Sequence, residues 1–342
     1  MTTVVQNTLY ITAQGAAVSR EHESLVVRLE KVERLRIPRR HVAGLVCFGR
    51  VWVSPEAMAA CAEEGIGVTF LSESGRYLAR VEGTHQGGIV LRRLQHRVAD
   101  DPAFCSSVVR SIIAGKVANT RAFVQRAVRD GDGAVRVEGD AVLDALARVL
   151  SSLERAEDVD AMRGLEGDAA ARYFGWLPTA LRARDEGVVF RGRSRRPPRD
   201  PVNAMLSFGY ALLLHDCVAA LASAGLDPDL GFLHSERPGR PSLALDSMEE
   251  LRIPFVDRMV VAMVNLGQIR AKDFVERDGG FEMSESLRKA FLVEYQARKR
   301  DEVTHPYTGV AVRWGLVPQV QARLLARSIR GELRPYPPFL LK

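Results

Sequence analysis

His234 stands ahead of the turn-rich stretch SERPGRP and an apolar run that ends in the acids Asp246, Glu249 and Glu250. SLALDSMEE has helical spacing, so Asp246 and Glu249, three residues apart, share a face. Glu250 lies about 100° around from Glu249 and is expected to be exposed or paired with an arginine. Two acids on one face repel unless something positive sits between them. A further acid, Glu166 in LEGDAAARYFGWL, occurs on a largely apolar helical face with Ala169, Ala170, Tyr173 and Leu177. A carboxylate turned inward there must meet a cation, a donor or a metal ion. Carboxylate oxygens with one neutral imidazole suit magnesium or manganese. Ion pairs to arginine and a hydrogen-bonded structural histidine explain the same residues equally well, and at this point both accounts stand.

The elements that must position these groups fall into two blocks. Residues up to about 83 read as short strands: NTLYIT, AAVSR, SLVVRLE, ERLRIP, VAGLVCFG, VWVS, GVTFLS and RYLARVEG. Leu25, Val27 and Leu29 alternate onto one face, Val26 and Arg28 onto the other. One helix interrupts them, PEAMAACAEEG, with Ser54 as N-cap, Pro55 as first helical residue and Gly65 as stop. After HQGGI, 85–89, long 3.6-residue periodicity takes over. Helices are expected near 102–130, 141–156, 163–176, 203–224, 246–265, 284–300 and 318–330, with Pro254 ending or kinking the fifth. The reading is α+β: a small strand-rich domain at 1–84, a linker at 85–95, and a larger, mostly helical domain at 96–342.

Composition sets the outer limits. The 342 residues, 46% hydrophobic, can supply a substantial core. A formal charge of +6 permits a polyanionic partner without proving one. Cys47, Cys61, Cys105 and Cys217 are scattered, which excludes a cysteine-based zinc site and favours reduced core thiols. No uninterrupted apolar run reaches about 18 residues, so the expectation is a cytoplasmic protein without a membrane span. VFRGRSRRPPRDP, 189–201, carries five arginines and reads as a solvated loop. The tail LRPYPPFLLK lacks periodicity and packs as an extended arm or frays.

Taken in order, the strands NTLYIT and GLVCFG, the segment VSPEAMAACAEEGIGVTFLSESGR, the helices GKVANTR and LEGDAAARYF, then NAMLSFGYALL and GFLHSERPGRPSLALDSMEELR carry a likeness over nearly the whole chain. The sequence resembles the CRISPR-associated integrases, the adaptation proteins that insert new spacers into a CRISPR array, in the form found with type I systems. The resemblance implies that Glu166, His234 and Glu249 bind one catalytic Mg2+ or Mn2+, with Asp246 an accessory acid and the rival third ligand. Some relatives have aspartate where this chain has Glu249. It also implies a β domain joined to a helical, metal-dependent catalytic and DNA-binding domain at 96–342, a homodimer formed through the β domains, and a small second CRISPR adaptation protein as partner. An end-processing nuclease is a candidate further partner. The substrates would be double-stranded and branched DNA and CRISPR repeat DNA, joined by transesterification. Lys116, Arg121, Arg191, Arg193, Arg195, Arg196 and Arg199 are the candidate phosphate contacts. Two alternatives remain: a structure-selective metal-dependent endonuclease, and a noncatalytic DNA-binding assembly subunit whose glutamates are locked in arginine pairs.

Overall fold

The computed structural model describes residues 7–73, 77–81, 88–131 and 133–341. The chain divides into two units, Met1–Gly87 and Gly88–Lys342.

In the first unit, β1 (Asn7–Ile11), β2 (Ala17–Glu21), β3 (Ser24–Leu29), β4 (Val32–Pro38), β5 (Val42–Phe48) and β6 (Trp52–Val53) precede α1 (Pro55–Glu63). The strands β7 (Gly67–Leu71) and β8 (Tyr77–Val81) follow it. They build two four-stranded sheets, ordered β1-β5-β7-β8 and β4-β3-β2-β6. Strands β1, β5 and β7 run parallel, which requires crossover connections, and α1 lies in the one between β5 and β7. The alternation in β3 places Leu25 and Val27 in a core shared with Val18, Leu45, Val68 and Ala57. Ser54 caps α1 as expected, its hydroxyl accepting from Ala57 N at 3.1 Å. All four cysteines are free.

The second unit opens with α2 (Ile89–Ala99), so residues 89–95 are the start of a helix rather than a linker. Residues 85–87 lie outside the described residues. Leu91 and Gln95, one turn apart, are the buried positions of α2, too few for its arginine-rich sequence to stand out. Next come α3 (Pro102–Asp130), α4 (Gly133–Arg155), α5 (Val159–Ala180) and α6 (Pro201–Ser223). Asp101, Asp158 and Asp200 cap α3, α5 and α6. Of these, α6 is long and apolar enough to cross a membrane by composition, but 72% of that window is buried inside the protein. It is a core helix, apolar all round because it is surrounded.

The helix expected over 246–265 is three pieces: α7 (Ser242–Leu251), a wider π-helical turn at Arg252–Asp257, and α8 (Arg258–Asn265). Pro254 supplies no amide hydrogen and its ring crowds the preceding turn, so the helix widens there instead of stopping. The hairpin β9 (Phe274–Arg277) and β10 (Gly280–Met283), α9 (Glu285–Arg300), the hairpin β11 (Glu302–Thr304) and β12 (Ala311–Arg313), and α10 (Val317–Ile329) complete the unit. Neither hairpin was expected from the pattern, although Asp278 and Gly279, both with positive φ, form the Asp-Gly turn that marks one.

Candidate functional site

Three helices and one loop bring the expected residues together. Glu166 projects from α5, Glu249 from α7, and His234 from the loop that precedes α7, while α3 packs against both helices. Between the two glutamates stands Lys116 of α3. Its ammonium donates to Glu166 Oε1 and, at 2.6 Å, to Glu249 Oε2. The other oxygen of Glu249 receives Arg252 Nη2 at 2.9 Å and lies 3.9 Å from His234 Nε2. Burial works against the Glu249 charge, but Arg252, Lys116 and His234 outweigh it and hold its carboxyl down at about 2. Glu249 is therefore anionic across the physiological range.

Asp246 does not face this cluster. It is fully buried, with Oδ2 accepting from Phe232 N at 2.6 Å and Leu233 N at 2.9 Å. Its Oδ1 accepts from His234 N at 2.9 Å and meets His234 Nδ1 at 2.6 Å. These contacts leave Asp246 no lone pair for the part of rival third ligand, and its place behind His234 is that of an accessory acid. Because an ionised carboxylate only accepts, Nδ1 of His234 carries a proton and donates it to Asp246, which turns Nε2 toward Glu249. The loop fits so closely over α7 that a Cβ on Gly231 would lie 2.8 Å from Ser242 C and 2.9 Å from Asp246 Oδ2. Arg163, one turn before Glu166, donates to Leu233 O at 2.6 Å and ties α5 to the same loop.

Glu250 corrects a second expectation. It is neither exposed nor paired with an arginine: it is fully buried and receives Tyr336 Oη at 2.7 Å, Gln321 Nε2 at 2.8 Å and Phe339 N at 2.7 Å. Burial pushes its carboxyl up to about 7 despite those donors. Asn119, on α3, donates to Glu250 O at 2.7 Å and Phe339 O at 2.8 Å and accepts from Leu341 N at 2.6 Å. The tail therefore packs as an arm against the back of the acidic helix.

Beside the glutamates a cleft is lined by Lys116, Thr120, Tyr173, Arg193, Tyr210 and Arg252. Arg193 turns inward, bonding Asn203 Oδ1 at 2.7 Å and lying 5.3 Å over the Tyr210 ring, whereas Arg191, Arg195, Arg196 and Arg199 are exposed. Asn203 is not the helix cap but its third residue, and its amide also donates to Gly192 O at 2.7 Å, fixing the arginine loop. Tyr173 and Tyr210 are core residues with one hydroxyl partner in common, donating to Asp257 at 2.9 and 2.6 Å.

Burial raises the Asp257 carboxyl to about 6 against the opposing pull of both tyrosines, Arg193 and Arg252. A carboxyl whose pKa is higher in the folded state favours folding most below its unfolded value. That contribution is lost as pH rises from about 4 through about 6. Asp257→Asn should remove this slope. In urea titrations at pH 4 and pH 7, wild type should lose about 2–3 kcal/mol relative to the variant between the two; parallel curves would contradict the assignment.

Comparison with known proteins now bears on the cluster. The sequence profile of the family described as CRISPR associated protein Cas1 matches residues 9–297. The chain belongs to the Cas1 family. A CRISPR-associated endonuclease Cas1 of Rhodospirillum rubrum is 46% identical over 342 residues, spanning 98% of each chain. One of Chlorobaculum tepidum is 44% identical over 338 residues, again 98% of each. A chain of the solved Cas6-RT-Cas1--Cas2 complex shares the fold at TM-score 0.84 and 23% identity, over 99% of this chain and 37% of that one. Cas1 membership makes the protein a CRISPR-associated enzyme of the integrase and endonuclease class.

Within this Cas1 chain, no three His, Cys, Asp or Glu side chains are gathered for a metal ion among the described residues. The donor types suit a hard divalent cation, and the two glutamates converge, but on an ammonium. Lys116, expected as a phosphate contact, is instead 12% exposed and paired with both acids. Arg252 balances Glu249, as its position flanking the acidic helix allowed.

Proposed function

We propose that this Cas1 chain joins the 3′-hydroxyl ends of short duplex DNA to phosphodiesters at CRISPR repeat boundaries, using Mg2+ or Mn2+ held by Glu166, His234 and Glu249. The observation that carries this reading is the convergence of Glu166 and Glu249, from different helices, on the one ammonium of Lys116, with Nε2 of His234 3.9 Å from Glu249 and its Nδ1 held by Asp246. In the reaction the attacking oxygen forms a new bond to phosphorus and the repeat strand's own P–O bond breaks. The attacking hydroxyl's proton leaves and the departing 3′-oxygen gains one, so the number of phosphodiesters is unchanged and no oxidant is needed. A divalent ion at these residues supplies Lewis-acid stabilisation of the charge that grows on the phosphoryl oxygens.

The chain's own groups account for the rest. Glu249 stays ionised at any working pH. Asp246 accepts from Nδ1 of His234 and so orients Nε2 toward Glu249. Arg252 and Arg193, each above the Tyr210 ring, concentrate positive charge beside the acids, where a phosphate can dock. The exposed Arg191, Arg195, Arg196 and Arg199 supply sequence-independent grip on the backbone. The resemblance adds pairing through the β unit and a small second adaptation protein, in line with the Cas2 named in the solved complex. A cytoplasmic location, where the repeat array lies, belongs to the same reading.

The test is a labelled short duplex incubated with supercoiled repeat-bearing plasmid, the second adaptation protein and this chain, with Mg2+, Mn2+ or chelator. Label joined to plasmid in the presence of the ion and lost with chelator is the expected result. Strands that are only shortened would favour hydrolysis by water, the endonuclease reading suggested by the names of both curated relatives. Binding without any covalent change would favour the noncatalytic assembly subunit.

A further inference from the structure

Lys116 sits where two anionic side chains from α5 and α7 would otherwise face each other with nothing between them. Its side chain is 12% exposed, with the ammonium on Glu166 Oε1 and Glu249 Oε2. The helix fixes its backbone: Thr120 Oγ1 donates to Lys116 O at 2.8 Å. The ammonium occupies one oxygen of each carboxylate that would hold a divalent ion. An ammonium and a divalent cation compete for these carboxylates, because like charges a few Å apart in a partly buried site repel strongly.

The alternative place for the ammonium is also defined. Lys116 lines the cleft that holds Arg193, Tyr210 and Arg252. A further cation released there meets two guanidiniums and becomes favourable only when an anion arrives. Ion loading at the acids and phosphate docking in the cleft would then support each other.

Resting on the ion site put forward above, we propose that Lys116 is a displaceable counter-cation. It holds Glu166 and Glu249 together in the ion-free protein, competes with the divalent ion for their oxygens, and on loading moves into the arginine-lined cleft to meet substrate phosphate. It acts as a positioning residue for the acids and a contact for phosphate. Its removal raises affinity for the ion instead of lowering it. A lysine with a purely structural role predicts no such gain.

The test uses the full chain and Mn2+ as the probe. Free Mn2+ is followed by electron paramagnetic resonance during titration of wild type, Lys116→Met, Lys116→Arg and Glu166→Gln. Thermal unfolding is recorded with and without the ion. Lys116→Met should bind Mn2+ about 10- to 100-fold more tightly, the range that loss of one or two charge-assisted hydrogen bonds gives. Its ion-free form should melt below wild type, and its rise in Tm on adding Mn2+ should be the larger. Lys116→Arg keeps the charge and should stay close to wild type. If Lys116→Met does not fold without the ion, Lys116→Gln takes its place with the same expectation. Equal or weaker binding in the neutral variants, with binding still reduced by Glu166→Gln, overturns the counter-cation and leaves the ion site standing. Mn2+ binding that ignores Glu166→Gln in wild type overturns both.

Discussion

Glu166→Gln is expected to abolish strand joining, by about 1000-fold or more, while leaving the fold and most nonspecific DNA binding intact. The choice of glutamate decides how cleanly this reads out. Glu249 is buried and tied to Lys116, Arg252 and His234, so neutralising it strands the buried Arg252 guanidinium and costs stability as well as activity. Glu166 has a side chain 22% exposed and engages Lys116, which keeps Glu249 as its partner when Glu166 is neutralised. Glutamine preserves shape and can still accept from the ammonium, but it is a far weaker donor to a hard cation than a carboxylate. The variant should therefore melt within a few degrees of wild type and retain gel-shift affinity for duplex DNA, since phosphate grip resides in the exposed arginines. Joined product near the wild-type level in the plasmid assay would remove Glu166 from the chemistry.

How far the sequence could be read depended on how many faces of each helix are buried. The capped start of α1 and the limits of α3, α9 and α10 follow from local residues, Ser54, Pro102, Ser284 and Pro318, whose effects act within one turn. The pairing of His234 with the acidic helix was visible as well, because the short loop 235–241 keeps the histidine close to the start of α7. Glu250 was misread for a physical reason. A periodicity argument grants α7 one inward face, yet it packs against α3, α6 and α10, with the tail behind it, and both 249 and 250 point into protein. The pairing of Lys116 with both glutamates was missed through its residue type, since lysine is rarely buried unless paired. The correcting signal was present in its phase: Ile112, Asn119, Thr120 and Phe123, at helical spacings from it, are all buried. A lysine on that stripe requires an acid from another helix, and Glu166 and Glu249 are the acids that arrive.

The second large effect belongs to Asp246, which touches neither DNA nor ion in this scheme and acts through His234. Four donors converge on its two oxygens: the backbone amides of Phe232, Leu233 and His234 and the imidazole Nδ1. Asparagine offers one oxygen and an amide that donates, so at least one of those donors must face another donor in a fully buried site. If the loop amides keep the oxygen, the new NH2 confronts Nδ1, and the histidine relieves the clash by moving its proton to Nε2. The nitrogen needed as a lone pair is then blocked. Asp246→Asn should accordingly lower ion affinity about 10- to 100-fold, the usual cost of losing such a partner behind a liganding histidine. It should also destabilise the protein by about 1–3 kcal/mol through the unsatisfied donor. The signature that separates orientation from simple unfolding is partial recovery of strand joining as Mn2+ is raised at a temperature where the variant is folded. Histidine ring-nitrogen shifts in a 15N-labelled sample should report the change of tautomer directly. An Asp246→Asn protein with wild-type ion affinity and an unchanged His234 tautomer would mean that the carboxylate serves only to shape the loop.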